Sequence, residues 1–418
     1  MSMNTETTEY DVVVLGGGPA GMMAAGRAAS RGLRVLLIEK NVVLGKKLSI
    51  TGGGRCNITN AEFDIRTLLK HYGKAEQFLY APFAQCGIQE TFNFFTDRML
   101  PLIIEEKKRV FPETQKATDV VRVMEHYVRS NGCVVRTGTA VRGFEMSGDS
   151  IVGVHTSAGV VTARAYVVAS GGASHQETGS TGEGFTWLKK LGHTIHASNP
   201  NLVPLIVSEP WVKKLSGTVL PKVSISFKNE VRKIKKQGDV LITHFGLSGP
   251  VVLNSAYEVK EMLEDGMVQV SIDLFPKDDI GSLRAMFQKL IEDNPRKTLS
   301  NLLKSWFTKG VVEAILQSVP TDGRLTMSAM LTREMRYMLV DRMKNITLTV
   351  TGTKGLDWSV VSDGGVDLKD IDTRTMQSKI HPNLYVVGDV LHVNRPSGGY
   401  SLQLCWTTGF VAGNSVCV

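Results

Sequence analysis

The feature that most constrains this chain is a glycine-rich turn, Gly16–Gly21, placed between two segments of different character. Before the turn, Tyr10–Leu15 is apolar and β-branched, which is typical of a buried parallel strand, and after it Ala20–Arg31 has helical character. Arg34–Ile38 predicts a second buried strand. Residues 10–39 therefore predict one βαβ unit of about the size expected for a right-handed crossover.

This turn reads Gly-Gly-Gly-Pro-Ala-Gly and matches the pattern G-x-G-x-x-G. Gly16 permits a tight turn, Gly18 lets the backbone approach a pyrophosphate, and Gly21 lets helix and strand pack closely. Pro19-Ala20 opens the helix, whose N-terminus stabilises phosphate charge. Glu39 ends the second strand, where a carboxylate accepts hydrogen bonds from a ribose 2′-hydroxyl and repels a 2′-phosphate. The unit predicts a dinucleotide site; a purely structural glycine turn is the alternative.

A second motif lies in the loop from residue 45 to residue 60. Three glycines, Gly52-Gly53-Gly54, precede Arg55, Cys56 and Asn57. Such a loop wraps closely around a bound group and offers amides and a guanidinium to phosphate or flavin oxygens. The alternative is a loop with a structural role only.

A third motif begins with Leu384–Asp389 and continues through Ser397–Gln403 into an apolar helix. A strand that ends in Gly388-Asp389 places a carboxylate at the carboxyl edge of a sheet, where it can hold a polyol chain. The following helix N-terminus faces a developing negative charge, as on a reduced flavin. Together the three motifs narrow the predicted dinucleotide to FAD.

The remaining sequence predicts further strands, and its secondary-structure pattern changes near His196. Between Asn201 and Leu253 short strands alternate with proline and glycine, which indicates an antiparallel β lobe. Residues 277–343 have helical periodicity. The other predicted strands are Gly132–Val141, Ser150–Ser157 with Val160–Ala163 as a hairpin, Ala165–Ala169, Val268–Leu274 and Ile346–Val350.

A length of 418 residues is too great for one ordinary core, which agrees with several domains. The predicted fold class is α/β, a discontinuous Rossmann-like FAD-binding domain with an inserted antiparallel β-barrel-like domain that carries a helical sub-insert. The predicted boundaries are 1–195 and 355–418 for the FAD domain, 196–276 and 344–354 for the insert, and 277–343 for the sub-insert.

Composition bears on location and partners. The sequence contains no uninterrupted run of about eighteen apolar residues, the length that could span a bilayer. Residues 1–9 are polar and acidic and do not resemble a signal peptide, so a cytoplasmic location is expected. The five cysteines show no C-x-x-C spacing and are expected to be reduced thiols. A net charge of +8 raises the question of an acidic partner, but the basic clusters lack interleaved aromatics, and a solvated surface is favoured over a nucleic-acid groove.

Several motifs together resemble those of the aminoacetone oxidase family of FAD-binding enzymes, which includes BaiN-type flavin reductases acting on 3-oxo bile-acid intermediates. The resemblance covers almost the whole chain and rests on Lys47-Leu48, Gly52–Asn60, Gly179–Gly182, Thr243–Pro250, Thr375–Lys379 and Gly398–Gln403. It implies a two-part FAD domain with a β-barrel-like insert and a helical insert within it. It also implies that Glu39 binds the adenosine ribose, that Val141 offers backbone contacts to adenine, and that Asp389, Gly399 and Tyr400 lie along the ribityl chain and flavin.

The chain departs from the family pattern near the presumed flavin. The family usually reads Gly-Glu-Val-Leu-Asp-Val-Asp-Gly where Gly388–Arg395 reads Gly-Asp-Val-Leu-His-Val-Asn-Arg, and Gln377 replaces a usual glutamate. Asp389 keeps a carboxylate, whereas His392, Asn394 and Arg395 replace acidic character with neutral or basic groups. Substrate preference is therefore not transferred from any relative.

The predicted site comprises cofactor-binding and catalytic residues, with no metal ligands. The cofactor-binding residues are Gly16, Gly18, Pro19, Ala20, Gly21, Glu39, Lys40, Lys47, Gly53, Gly54, Arg55, Cys56, Asn57, Val141, Ala169, Ser170, Gly171, Gly388, Asp389, Gly399, Tyr400 and Ser401. The catalytic candidates are Tyr400 and His244; a flavin contact and a loop-fixing residue are their respective alternatives.

The chain has one complete G-x-G-x-x-G, so a second, dedicated nicotinamide domain is not expected. Electrons come either from the substrate, which gives an oxidase, or from NADH or NADPH as a transient donor, which gives a reductase. The leading hypothesis is a small-molecule enzyme that reduces a conjugated enone, steroid-like or bile-acid-like, or oxidises an amine or amino-ketone with oxygen. An FAD-containing RNA-modifying protein and a non-catalytic flavin-binding protein are the rival hypotheses; no nucleic-acid partner is expected under the leading one.

Overall fold

The computed structural model describes residues 10–316, 327–355 and 361–417. Its strands, numbered in chain order, are β1 (Tyr10–Leu15), β2 (Val35–Ile38), β3 (Thr59–Asn60), β4 (Leu102–Ile104), β5 (Arg109–Pro112), β6 (Val134–Arg136), β7 (Val141–Ser147), β8 (Ser150–Thr156), β9 (Gly159–Val161), β10 (Ala163–Val168), β11 (Ile195–Asn201), β12 (Leu205–Val207), β13 (Val219–Lys228), β14 (Lys233–Thr243), β15 (Gly246–Ser248), β16 (Val268–Asp273), β17 (Ile346–Thr353), β18 (Val361–Val366) and β19 (Leu384–Val386). Its helices are α1 (Pro19–Ala29), α2 (Thr51–Gly54), α3 (Ile65–Lys70), α4 (Glu76–Gln85), α5 (Ile88–Thr96), α6 (Ala117–Ser130), α7 (Glu183–Lys190), α8 (Pro250–Leu253), α9 (Ala256–Glu264), α10 (Ile280–Glu292), α11 (Leu299–Leu303), α12 (Lys309–Leu316), α13 (Arg333–Lys344) and α14 (Tyr400–Ser415).

The chain divides into two compact units. The first unit combines Met1–Pro200 with Val360–Val418, and the second is Asn201–Ser359. The division stands five residues from the predicted breaks, after residue 200 rather than 195 and after residue 359 rather than 354. The cause at the first break is β11, which begins at Ile195 and pairs with β18 inside the first unit.

The first unit is built on a five-stranded parallel sheet in the order β19-β10-β1-β2-β6. Every residue of β1 is buried, as its apolar sequence predicts for a central parallel strand. Leu15 at the end of β1 pairs with Val168 of β10 and with Ile38 of β2, so the carboxyl ends of these strands meet at one edge. The strand β19 joins this sheet although the whole second unit precedes it in the chain, which confirms the discontinuous Rossmann-like domain.

Helix α14 packs tightly against α1 because glycines face it. A Cβ atom at Gly409 would lie 2.4 Å from the carbonyl oxygen of Ala20, and one at Gly413 would lie 2.4 Å from that of Ala24. Only glycine permits a helix to approach a neighbouring backbone so closely. This contact brings the segment before α14 next to the first glycine turn.

One predicted strand of the first unit is wrong. Residues Gly132–Val141 do not form a single strand: β6 ends at Arg136, and β7 begins at Val141. Between them the chain turns at Gly138, which has a φ of +65°. There the backbone amide of Thr139 donates a hydrogen bond to the carbonyl oxygen of Glu39 at 3.0 Å. The turn is thereby bonded to the residue that follows β2. The predicted hairpin is confirmed as β8 and β9.

The second unit is a closed antiparallel barrel in the order β12-β15-β14-β13-β16-β17. Helices α10 to α13 lie between β16 and β17 in the chain, and α10 buries Leu283, Phe287 and Ile291, spaced at one face of a helix. This confirms the predicted antiparallel barrel with helices inserted into it. None of the helices in the described residues is both long and apolar enough to cross a bilayer.

Candidate cofactor site

In the glycine turn after β1, protein atoms lie close to Gly16 and Gly21, whereas the space beside Gly18 is open. A Cβ atom at Gly16 would lie 2.4 Å from the Ala169 carbonyl oxygen, and one at Gly21 would lie 1.9 Å from the Gly16 carbonyl oxygen. At Gly18, no described atom lies within 4 Å of the Cβ position. Helix α1 begins at the next residue, and its first N–H groups have no acceptor within the helix. The open side therefore has the room and the donors that a pyrophosphate needs.

Glu39 is fixed beside this turn. One carboxylate oxygen accepts a hydrogen bond from the Gly17 amide at 2.7 Å, and the other accepts from the backbone and side-chain amides of Asn41, both at 2.7 Å. The residue is buried, and its oxygens keep lone pairs for further donors such as ribose hydroxyls. The next residue, Lys40, points elsewhere, toward Thr181 at 3.0 Å and Glu183 at 2.9 Å.

Lys47 places a half-buried ammonium in the same unit. Its Nζ atom donates to the carbonyl oxygen of Ser174 at 2.9 Å and to the Ser174 hydroxyl at 2.6 Å, both neutral acceptors. Burial lowers the pKa of Lys47, while the charge of Asp389 opposes this change and that of Arg395 adds to it. The Lys47 ammonium is therefore electrostatically coupled to the C-terminal motif, and an additional anion would stabilise it.

The glycine loop has the backbone that its sequence requires. Gly52, Gly53 and Gly54 have φ angles of 58°, 67° and 85°, a region that favours glycine. At Gly53 and Gly54 no described atom lies within 4 Å of the Cβ position, so this turn has an open face.

The side chains that follow the three glycines contact neighbouring residues of the protein. The Arg55 guanidinium pairs with Glu105 and stacks at 4.0 Å over the ring of Phe111. Asn57 accepts a hydrogen bond from the amide of Val110 at 3.2 Å. Cys56 is buried, and burial raises the pKa of its thiol to about 12. The structure thus gives these residues partners within the protein, and their contact with a cofactor stays a prediction.

The residues after β10 line the first turn. The Ala169 carbonyl oxygen lies against Gly16, and Gly171 has a φ of +73°. The Ser170 hydroxyl is buried and has no hydrogen-bond partner among the residues that the structure describes. Val141, the predicted adenine contact, is half-buried at the start of β7.

The C-terminal motif touches both N-terminal motifs through two glycines. Gly388 donates its amide to the Thr408 hydroxyl at 3.0 Å, and a Cβ atom there would lie 2.8 Å from that of Ala20. At Gly399, with a φ of +102°, a Cβ atom would lie 2.3 Å from the Thr59 carbonyl oxygen. The structure therefore brings together the three segments that the sequence singled out.

Asp389 has a partner that the sequence reasoning did not assign. The Arg395 guanidinium donates to the Asp389 carboxylate, to the Val393 carbonyl oxygen and, from Nε at 2.7 Å, to the Ser401 hydroxyl. In the sequence, Arg395 stands out only as a departure from the family pattern. Its role was not visible because the ion pair forms between two loop residues whose distance depends on the fold.

Tyr400 and His244, the predicted catalytic residues, belong to different units. Tyr400 opens α14, is buried, and has its ring 4.7 Å from that of His71. Burial raises the pKa of its phenol to about 12. His244 is exposed at the turn between β14 and β15, with its ring 4.7 Å from that of Phe245.

Gln403 lies within the Gly398–Gln403 motif, and the sequence alone indicates no role for it. Its amide is fully buried and accepts from the Thr59 hydroxyl at 2.6 Å, while it donates to Thr91 at 2.9 Å and Thr407 at 3.0 Å. These bonds tie α14 to β3 and α5, behind the Gly399 contact. Over the described ranges, no group of three or more His, Cys, Asp and Glu side chains is placed to hold a metal ion.

Comparison with protein families gives one match over nearly the whole chain. Residues 10–415 match the family described as HI0933-like protein Rossmann domain. The match includes both parts of the first unit and all of the second.

Curated relatives that align with this chain over 98% of their own length include proteins with two kinds of name. A 3-dehydro-bile acid delta(4,6)-reductase of Clostridium scindens is 28% identical over 96% of this chain and 98% of its own length. A ribosomal RNA dihydrouridine synthase of Escherichia coli is 25% identical over 97% of this chain and 98% of its own length.

A solved structure shares the fold. The 3-ketosteroid-delta4-(5alpha)-dehydrogenase of Rhodococcus jostii superposes with a TM-score of 0.55, at 14% identity, over 99% of this chain and 98% of that protein. At this identity the likeness concerns the fold alone.

Proposed function

Because this chain belongs to the HI0933-like Rossmann-domain family of FAD-binding proteins and is an FAD-dependent oxidoreductase by class, we propose that it reduces a carbon–carbon double bond conjugated with a carbonyl in a small organic molecule. NADH or NADPH is the proposed electron donor. The observation that supports FAD most directly is the open side at Gly18, in a turn whose Ala20 contacts Gly388 of the C-terminal motif.

The residues present fit an FAD molecule. The space beside Gly18 and the N-terminus of α1 suit a pyrophosphate, and Glu39 suits the adenosine ribose. Asp389 and the amides near Gly399 suit the polyol and flavin. When bound, FAD would supply the transfer of a hydride to or from the substrate.

In the proposed reaction, the protein itself orients the substrate against the flavin and donates a proton to the substrate. Saturation of a conjugated double bond needs a hydride at one carbon and a proton at the other. The Tyr400 phenol, with its pKa near 12, is protonated at neutral pH and therefore donates rather than accepts a proton. This chemistry favours Tyr400 over the exposed His244 as the acid.

The names of the relatives support reduction over oxidation. A delta(4,6)-reductase acts on double bonds, and dihydrouridine is uridine with one ring double bond saturated. In both substrates the double bond is conjugated with a carbonyl, which is the chemistry proposed for this chain. The alternative reaction is oxidation of an amine or amino-ketone by oxygen, and the experiment described below distinguishes the two reactions.

A second candidate function is the reduction of uridine in RNA. Two curated relatives bear the name ribosomal RNA dihydrouridine synthase, and the chain has a net charge of +8. The basic run near residue 232 supports it less than its sequence suggests, since Arg232 pairs with Glu261 and Lys236 pairs with Glu258. We therefore rank a small enone above RNA.

The test is anaerobic reduction of the purified, FAD-loaded protein. We expect NADH or NADPH to bleach the flavin absorbance, and a steroid-like enone to restore it with formation of the saturated ketone. Failure to bleach with either nucleotide, together with bleaching by an amine, contradicts the proposal and favours an oxidase. Restoration by unmodified ribosomal RNA but by none of the enones favours the second candidate. A protein that takes up no FAD removes the proposal altogether.

A further inference from the structure

His381 lies in the segment before β19 and has a carbonyl oxygen at each of its ring nitrogens. Its Nδ1 atom lies 2.8 Å from the carbonyl oxygen of Asp149, and its Nε2 atom lies 2.7 Å from that of Leu191. The residue is buried. Because a carbonyl oxygen only accepts hydrogen bonds, both nitrogens must donate, and a histidine ring with two N–H groups is a cation. A neutral ring would leave one bare nitrogen facing a carbonyl oxygen, so that a buried hydrogen bond is unmade.

A second buried histidine beside it is neutral. The ring centroid of His193 lies 5.8 Å from that of His381. Its Nδ1 atom lies 3.2 Å from the carbonyl oxygen of Leu188, and its Nε2 atom lies 2.8 Å from the Ser378 hydroxyl. That hydroxyl accepts from the backbone amides of Ile380 and His381 at 3.1 Å and 3.0 Å, which leaves its own proton for Nε2 of His193. Burial lowers the pKa of His193, as does the neighbouring charge of His381, so this pair of histidines carries one charge.

The charge on His381 is met by the end of a helix. Leu191 is the C-cap residue of α7, where carbonyl groups without helical partners form the negative end of the helix dipole. Among the described residues, no charged side chain of the contacting segments bonds to the His381 ring. These side chains are Asp149, Lys189, Lys190 and Lys379, which are exposed and screened by solvent, and Asp370, which accepts from the Thr194 amide at 2.7 Å.

These hydrogen bonds join parts of the first unit that are far apart in the chain. Asp149 lies in the turn between β7 and β8, Leu191 follows α7, and His381 precedes β19. The second unit is inserted between Leu191 and His381. Since β19 pairs with β10 and leads to Gly388 and Asp389, His381 holds the C-terminal part of this unit to its N-terminal part.

We propose that His381 is an imidazolium ion in the folded protein and acts as a pH-sensitive clamp between the two parts of the first unit. The clamp consists of its two hydrogen bonds, and it weakens when the ring loses a proton. Histidine in an unfolded chain has a pKa of about 6.5, so near pH 7.5 folding takes up a proton at this residue. The stabilisation is therefore complete below about pH 6.5 and is lost as the pH rises through the value at which the folded ring loses its proton. This inference goes beyond the proposed reaction and requires no substrate.

The direct test is nitrogen NMR of the full-length protein, labelled with ¹⁵N in its nine histidines, at about pH 7.5, where an ordinary histidine is mostly neutral. We expect both ring nitrogens of His381 to be protonated, with signals that disappear in His381→Gln. An unprotonated ring nitrogen in His381 at this pH would overturn the inference. If His381→Gln does not fold, His155→Gln, His175→Gln and His196→Gln are combined to remove the described histidines that lie within 4.0 Å of a carboxylate oxygen. A doubly protonated ring must remain in that spectrum, and its absence overturns the inference.

Thermal unfolding between about pH 6 and about pH 8.5 measures the effect on stability. We expect the Tm of the wild type to fall by about 4 °C more over this range than that of His381→Gln. His126→Gln, which replaces an exposed histidine of α6, is the control and should follow the wild type. Parallel pH profiles of the wild type and His381→Gln would show that no clamp exists. A protein that takes up no FAD or reduces no enone overturns the proposed function, whereas both of these measurements remain valid.

Discussion

Single residues of the first unit hold buried charge through few, specific contacts. Asp389 is the clearest case, because it is the counter-charge of Arg395 and also the residue expected to meet the polyol chain of FAD. We predict that Asp389→Ala loses most of its FAD. Removal of the carboxylate also leaves a buried guanidinium without its partner, which should lower the free energy of unfolding by about 2 kcal/mol.

Absorbance of the purified variant gives the FAD content, and denaturant unfolding gives the stability. Asp11→Ala is the matched control, since it breaks a pair with Arg34 whose arginine is 59% exposed, and it should keep its FAD. Full FAD occupancy in Asp389→Ala would show that this residue does not contact the cofactor.

Tyr400 allows a prediction about the proton. Because burial raises the pKa of the phenol to about 12, it stays protonated as pH rises to about 10, so the rate of substrate reduction should show no loss from Tyr400 in that range. In Tyr400→Phe we expect this rate to fall by about 100-fold, a typical contribution of a general acid, with FAD retained.

The rate of substrate reduction is measured by mixing reduced enzyme with substrate under single-turnover conditions. His71→Phe changes the ring beside Tyr400 and is the control for altered packing. An unchanged rate in Tyr400→Phe would assign Tyr400 to flavin contact alone.

The cysteines are expected to differ sharply in reactivity. Burial raises the pKa of Cys56, Cys86 and Cys133 to about 12, so at pH 8 roughly one molecule in ten thousand carries the thiolate at each position. Burial raises the pKa of Cys405 as well, whereas Cys417 is exposed. Brief iodoacetamide treatment of the native protein should therefore label Cys417 alone, as read by mass spectrometry, and denatured protein should label all five cysteines of the chain. Rapid native labelling of Cys56 would contradict the burial of this loop.

At the scale of elements, the cofactor site depends on the contact between α1 and α14. In Gly409→Ala the new methyl group would meet the Ala20 backbone at 2.4 Å, so the helices must separate. We expect a loss of about 1–3 kcal/mol in stability, as for other overpacked sites, and weaker FAD binding because Ala20 lies in the first turn of α1. Gly143→Ala, where no described atom lies within 4 Å of the Cβ position, is the control. Thermal unfolding and FAD titration report both effects; equal behaviour of the two variants would mean that α1 does not need this close contact.

Elements with strong local signals could be predicted from sequence, and those set by distant contacts could not. The strand Tyr10–Leu15 was predicted with its observed bounds, because a run of buried apolar residues next to a glycine turn leaves few alternatives. The sequence of Gly132–Val141 predicts one strand, and five of its ten residues are β-branched. The chain turns instead at Gly138 to bond with Asn41 and Glu39, nearly a hundred residues earlier, and no local pattern shows this.

The same distinction holds within the site. The glycines were recognisable because each has a steric role that depends on its immediate neighbours, as Gly16 and Gly21 show. The ion pair between Asp389 and Arg395 and the bond from Lys47 to Ser174 were missed, since side-chain partners across loops follow from the fold rather than from spacing.

At the scale of the whole molecule, the net charge of +8 predicts weak attraction to nucleic acids. If RNA is not the substrate, binding of a ribosomal RNA fragment should be electrostatic and independent of sequence. Such binding by six or more phosphate contacts falls by about 10³-fold or more between 50 mM and 200 mM salt. Filter binding across this range, with a scrambled RNA as control, measures it. Tight binding that survives the higher salt and prefers the natural sequence would favour the RNA-modifying function.

The position of β19 in the sheet has a consequence for how the protein is made. This strand pairs with β10, yet the whole second unit is synthesised between the two. At about 5–20 residues per second, the ribosome needs on the order of ten to forty seconds to cover that interval. Throughout this time β10 is an unpaired edge of apolar residues, a template for wrong pairing in the nascent chain. Cofactor capture is therefore expected late in biogenesis, after β19 has emerged and paired with β10.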